Sequence, residues 1–203
     1  MTDFIRFFIP LYFILFFTVS FLGISLKVAG RIGKNPNVLP KDDSAYGLIS
    51  FYFKMTLWAI FIYTILLSVF PGTIASAFSI HFLDTDFSRC VGVFFMSMAF
   101  VWVTVAQVQM RNSWRIGIDR SMKTALVTHG LFQFSRNPVF LGMTVSLLGF
   151  FLAFPTVIAF TFLLIGSILM QIQIRLEEEH LLEEHGPAYL AYQKTVGRML
   201  SLY

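Results

Sequence analysis

The chain has 203 residues, of which 57% are hydrophobic and 13% charged, with a mean hydropathy of +0.74. Water-soluble domains carry roughly 45–50% apolar and about 25% charged residues. A soluble fold of this length has no interior large enough to hide so much apolar surface, so the solvent that remains is lipid. The formal charge of +4 comes without a basic stripe interleaved with aromatics, which excludes a nucleic-acid partner. The lone cysteine, Cys90, excludes an internal disulfide and any metal site built from clustered thiolates.

Crossing a bilayer takes about 20 mostly apolar residues in a helix. Residues 7–26 carry no charge and meet that need. The run is too long for the apolar core of a signal peptide, and no small-residue cleavage site follows it, so it reads as a span. A loop is expected over 27–43, rich in Gly, Pro and Asn. Residues 48–70 form a second span, with Lys54 near one end, where its ammonium can snorkel, and Pro71-Gly72 stopping it. The apolar stretch 73–82 is short and reads as an interfacial piece. Residues 91–110 form the third span. Residues 111–138 mix charge, glycine and aromatics and are too polar to cross.

Residues 139–174 then run without a charge. As one helix they would extend roughly 54 Å at 1.5 Å per residue, against a hydrocarbon core of about 30 Å. Pro155 lies near the middle, so the segment is expected to fold as a helical hairpin turning at 154–156. The fold class is therefore all-α and polytopic, with about five transmembrane helices and a helical C-terminal tail broken at Gly186-Pro187. Residues 1–110 form an N-terminal set of three spans, and 111–203 form the chemically rich region.

Basic residues favour the cytoplasmic side. Lys27, Arg31, Lys34 and Lys41 follow span one. Arg111, Arg115, Arg120, Lys123 and Arg136 follow span three, and Arg175, Lys194 and Arg198 lie in the tail. This asymmetry predicts an odd number of spans, an external N-terminus and a cytoplasmic tail.

Two polar segments then share one face of the membrane. One is Thr128-His129-Gly130 through Phe132-Gln133-Phe134 to Arg136-Asn137-Pro138-Val139-Phe140-Leu141-Gly142. The other is Glu177-Glu178-Glu179, followed by His185-Gly186-Pro187-Ala188-Tyr189 and Tyr192. Three adjacent carboxylates at an anionic surface need a cation. Arg136, Arg175 and a cationic ligand are all candidates, and an exposed helix start is the alternative. His180 and His185 do not share a helical face, so no metal site is expected.

In order and spacing, these segments resemble the isoprenylcysteine carboxyl methyltransferases and, more loosely, the phospholipid N-methyltransferases. Asn137 stands where that pattern has His, and Phe140 where it has Tyr. The resemblance implies a membrane methyltransferase using S-adenosyl-L-methionine, with a lipophilic or prenylated small molecule or protein as acceptor, membrane lipid as a partner, and carboxyl O-methylation as the reaction. It implies Arg136, Glu177 and Glu178 as catalytic residues. Cofactor contacts are implied for His129, Phe132, Phe134, Arg136, Asn137, Pro138, Glu177, Glu178, Tyr189 and Arg198. Competing readings are a phospholipid or amine N-methyltransferase, a lipid reductase of related fold and a non-catalytic membrane protein.

Overall fold

The computed structural model describes residues 2–39, 43–70, 72–73, 78–118 and 123–200. Lys41, Pro71 and Arg120, and residues 74–77 of the interfacial piece expected over 73–82, lie outside the described residues. Among the described residues the chain is helical and has no strand. Four of its helices are long and apolar enough to cross a membrane, and a shorter apolar helix accompanies them.

The first span is α1 (Thr2–Phe16), a π-helical segment (Phe17–Gly23) and α2 (Ile24–Ile32), continuous from Asp3 to Ile32. The loop expected from Lys27 therefore starts only after Ile32. Ile24 and Val28 are buried and carry the helix two turns further, while Lys27 and Arg31 lie on its outer sides. The helix stops at Gly33, which takes a left-handed φ of 69° and donates its N–H to the Ala29 carbonyl.

α3 (Ala45–Val69) and α4 (Asp86–Met110) are the second and third spans. Each opens on a hydroxyl cap. Ser44 accepts from the Gly47 N–H at 3.0 Å, and Thr85 from the Ser88 N–H at 3.1 Å. The hairpin forms as expected. α5 (Pro138–Ala153) and α6 (Val157–His185) turn at 154–156. Thr156 caps α6 through the Ala159 N–H and hydrogen-bonds the Tyr63 hydroxyl at 2.8 Å.

α6 does not end where the apolar run ends at Ile174. It continues through the carboxylates to His185, and at about 43 Å it outreaches a 30 Å core by roughly 13 Å. Gly186, at a φ of 51°, breaks it, and Pro187 opens α7 (Pro187–Thr195).

α4 and α5 form the closest helix pair. A Cβ added at Gly92 would strike the Ala153 backbone nitrogen, and one at Gly149 would lie 2.8 Å from the Gly92 carbonyl oxygen. Small residues let these backbones approach closely, the packing mode available to helices in lipid. Phe150, Met96, Ala99 and Val103 are fully buried between the helices. Phe7, Phe51, Trp58, Val101 and Ile168 project outward as an apolar belt. Such a surface marks an integral membrane protein.

At the basic end of the bundle, Val38 donates to the Ile116 carbonyl and Ile116 to the Pro36 carbonyl, each at 3.0 Å. The loops after α2 and after α4 are thereby tied together over the helix ends.

Candidate active site

The overhang of α6 presents Glu177 and Glu178 in different directions, since adjacent helical residues point about 100° apart. Glu178 is 4% exposed and faces the tail. Its carboxylate accepts from Arg136 Nε at 3.0 Å, Arg136 Nη2 at 3.3 Å, Asn137 Nδ2 at 3.0 Å and Arg198 Nε at 2.9 Å. Arg136 spends its third nitrogen on the Gln193 and Val196 carbonyls, and its backbone N–H donates to the Gly197 carbonyl. Asn137 donates also to the Arg198 carbonyl. These bonds join the start of α5, the end of α6 and the segment after α7 around one buried carboxylate.

Glu177 faces the other way. The described polar contact on its carboxylate is the Gln173 amide at 3.3 Å, one turn earlier on the same helix. Gln173 also donates to the Tyr46 hydroxyl at 3.1 Å, and that hydroxyl accepts from the Ile118 N–H at 2.8 Å. The loop after α4 is in this way held against α3 and α6.

Glu177 borders two clefts. One, of about 840 Å³, is largely apolar and runs between α3, α5, α6 and the loop after α4. Phe53, Trp114, Pro138, Phe140 and Met143 line it, with Ser50, Gln173 and Asn137 among its polar groups. The other, of about 730 Å³, lies beyond the helix ends and is lined by 124–127, His180, Glu184 and Tyr192. Phe132, Arg136, Glu177 and Arg115 border both. Glu184 holds the second wall in place, accepting from the Thr124 N–H at 2.5 Å and lying 3.4 Å from His180 Nε2.

Phe132 is positioned from the tail. Its carbonyl accepts the Tyr192 hydroxyl at 2.5 Å, across α7. Burial, with the nearby Glu178 charge, pushes Tyr189 up to about 12, and burial beside Tyr189 pushes Tyr192 up as well. Both remain neutral phenols at any working pH, so the Tyr192 hydroxyl stays a donor.

The residues singled out from sequence therefore divide. Arg136, Asn137, Pro138, Glu177 and Phe132 border the apolar cleft. Glu178 and Arg198 form the charge cluster behind it. Tyr189 is 1% exposed and packs with Tyr192 and Val196 beneath the site, in neither cleft. His129 is exposed in an open recess beside Arg31 and Arg111, and Phe134 is 55% exposed and lines neither cleft. Sequence reasoning did not single out Gln173, Tyr46 or Ser50, and it named Tyr192 within the tail segment without giving it a role. Gln173 carries a signal that could have found it: an amide inside an apolar run, one turn before an acidic pair.

A family model described as phospholipid methyltransferase matches residues 87–188, half of the chain. The chain belongs to that family. The match covers α4, the hairpin, the loop between them and the carboxylates of α6, which together supply most of the residues lining both clefts. No curated protein and no solved structure matches the chain. The phospholipid methyltransferase family supports membrane methyl transfer and implies a donor of the S-adenosylmethionine type.

Proposed function

We propose that the chain is an S-adenosylmethionine-dependent methyltransferase acting on a lipophilic amine. The observation that carries this reading is the shared wall of Phe132, Arg136 and Glu177 between an apolar cleft within the bundle and a second cleft beyond the helix ends, where His180 and Glu184 lie. A water-soluble cofactor and a membrane-soluble acceptor need separate entrances and one meeting point. Glu177, a carboxylate without a described cationic partner, suits a ligand that carries positive charge.

The cofactor supplies an electrophilic methyl group on a sulfonium that departs as a neutral thioether. The chain's own residues do the rest. Apolar walls exclude water, and the two entrances align donor and acceptor, which is the main source of acceleration in a displacement. Arg136 is saturated by Glu178 and backbone carbonyls, so it holds the wall rigid. Glu177 accepts the proton that an alkylammonium loses before its nitrogen attacks the methyl carbon. A carboxylate acceptor, as in the isoprenylcysteine enzymes, needs no such base and would lie against Glu177 with like charge. The unpaired glutamate therefore favours the amine. We place the basic end of the bundle, with both clefts and the C-terminal tail, on the cytoplasmic side.

Isothermal titration with S-adenosylhomocysteine, followed by methylation assays on long-chain amines and on prenylated carboxylates, tests this. Binding is expected in the wild type, with turnover on the amine. Glu177→Gln is expected to keep its fold and lower amine turnover by about 10²-fold or more. Turnover on the carboxylate alone would overturn the amine assignment. Absence of S-adenosylhomocysteine binding with NADPH bound instead would move the chain to the lipid reductases, and binding of neither to a non-catalytic role.

A further inference from the structure

The two clefts leave His129 without a role. It lies at the basic end of the bundle, in an open recess between the ends of α2 and α4 and the segment 125–129. Arg31 enters the recess from the last turn of α2, and Arg111 from the residue that ends α4. α2 packs against the turn 111–113, which sets Arg31 beside that turn. Gln109, Asn112 and Ser113 add polar groups, and among the described residues no carboxylate lines the recess.

Two observations mark out the arginines. Every other described arginine donates to a carbonyl or carboxylate of the chain, as Arg6, Arg89, Arg115, Arg136, Arg175 and Arg198 do. Among the described residues, nothing accepts from the guanidinium of Arg31 or Arg111. The second observation is backbone strain. Arg111 is the one non-glycine residue among those described with a positive φ, at φ 50° and ψ −118°. Gly186 ends α6 with almost the same backbone, at 51° and −121°. Glycine adopts this conformation freely and an L side chain does not. The helix end that faces the recess thus carries an arginine where its backbone favours glycine, and such strain persists where the side chain serves a site.

The level of the recess points to lipid as the source of its ligand. Leu26 and Val108 are the last exposed large apolar residues of α2 and α4. Arg31 and Arg111 lie beyond them by rises of about 7.5 and 4.5 Å. The headgroup layer adds about 5–7 Å to each side of the hydrocarbon, so both guanidiniums stand at the depth of lipid phosphates.

We propose that this recess binds the phosphate of an anionic lipid headgroup, with Arg31 and Arg111 supplying the charge and His129 and Asn112 further donors. Guanidinium forks match phosphate oxygens two at a time. With no carboxylate in its lining the recess has nothing to hold a choline or ethanolamine, which favours a headgroup of net negative charge. Glu177 and Glu178 do not line it, so the inference stands whatever reaction the clefts carry. The lipid would lie across a shared wall from the second cleft, since Met110, Ser113 and 125–127 line both spaces.

Native mass spectrometry of the protein released from nanodiscs of mixed phosphatidylglycerol and phosphatidylcholine tests this. The wild type is expected to retain phosphatidylglycerol in excess. Arg31→Ala combined with Arg111→Gly should lower that excess about tenfold or more. Lys27→Gln combined with Lys34→Gln removes the same charge from the same end of the bundle but outside the recess, and should change it by about twofold or less. Arg111→Gly alone should raise the thermal midpoint in detergent while weakening retention, a pairing that a purely structural arginine would not give. Arg31→Ala alone, on an exposed last turn with ordinary helical backbone, should weaken retention with the midpoint unchanged. Equal retention of the two lipids, equal losses in the two double variants, or full retention in both single variants would overturn the site. Displacement of phosphatidylglycerol by S-adenosylhomocysteine would give the recess to the cofactor, and displacement by inorganic phosphate at millimolar concentration would give it to a soluble anion. Either result overturns the lipid assignment.

Discussion

At the scale of residues, two neighbouring carboxylates do different work. Glu178 is a buried charge neutralised by two guanidiniums and an amide, and Glu177 is left to face the clefts. Removing one partner of a buried pair strands the others and costs about 3–5 kcal/mol. Glu178→Ala should therefore lower the thermal midpoint in detergent sharply. Arg198→Ala, whose side chain is 42% exposed, should cost about 1 kcal/mol or less. Tyr192→Phe removes the donor to the Phe132 carbonyl and should cost about 1–3 kcal/mol. It should also weaken S-adenosylhomocysteine affinity, because Phe132 borders both clefts. The sequence shows the acidic pair and Arg136 plainly. Which glutamate turns inward is not written in it, because that depends on where the tail folds back, and Arg198 is twenty residues away from the carboxylate it meets.

Elements were legible where length and punctuation agreed. An uncharged run too long for one span, with Pro155 at its middle, defined the hairpin, and Gly186-Pro187 defined the end of α6. Helix ends were less legible. Lys27 looks like a loop residue by charge, and Glu177 like the start of a separate tail helix, yet the spanning helices continue past both because buried neighbours such as Val28 and Glu178 hold one side. The π segment left no mark in the apolar pattern, since its residues suit an α-helix equally well. The small-residue contact between α4 and α5 is also invisible until the helices are paired. It predicts that Gly149→Val, which would drive a branched side chain into Met96 and the Gly92 carbonyl, separates the pair. Size-exclusion of a fluorescent fusion should show loss of the monodisperse peak, whereas the same change at Gly30, where an added Cβ meets nothing, should leave it intact.

For the molecule as a whole, composition fixes the solvent and basic residues suggest the sides, but the two-cleft arrangement comes from contacts far apart in sequence. Tyr46 reaches Gln173, Thr124 reaches Glu184, and Asn137 reaches the Arg198 carbonyl. No local pattern encodes such pairings. The proposed orientation has its own test. In membranes of inverted topology, a cysteine placed at Lys194 should react with an impermeant maleimide without permeabilisation, and one placed at Asp3 should not.

The shortness of α5 has a further consequence. Its sixteen residues rise about 24 Å, some 6 Å less than the hydrocarbon they stand in. From the shared turn at 154–156, α5 therefore ends about 6 Å short of the level that α6 reaches at Glu177, twenty residues past Val157. That step is where Asn137 and Pro138 border the apolar cleft beside Glu177, so the unequal arms of the hairpin leave room for the cleft.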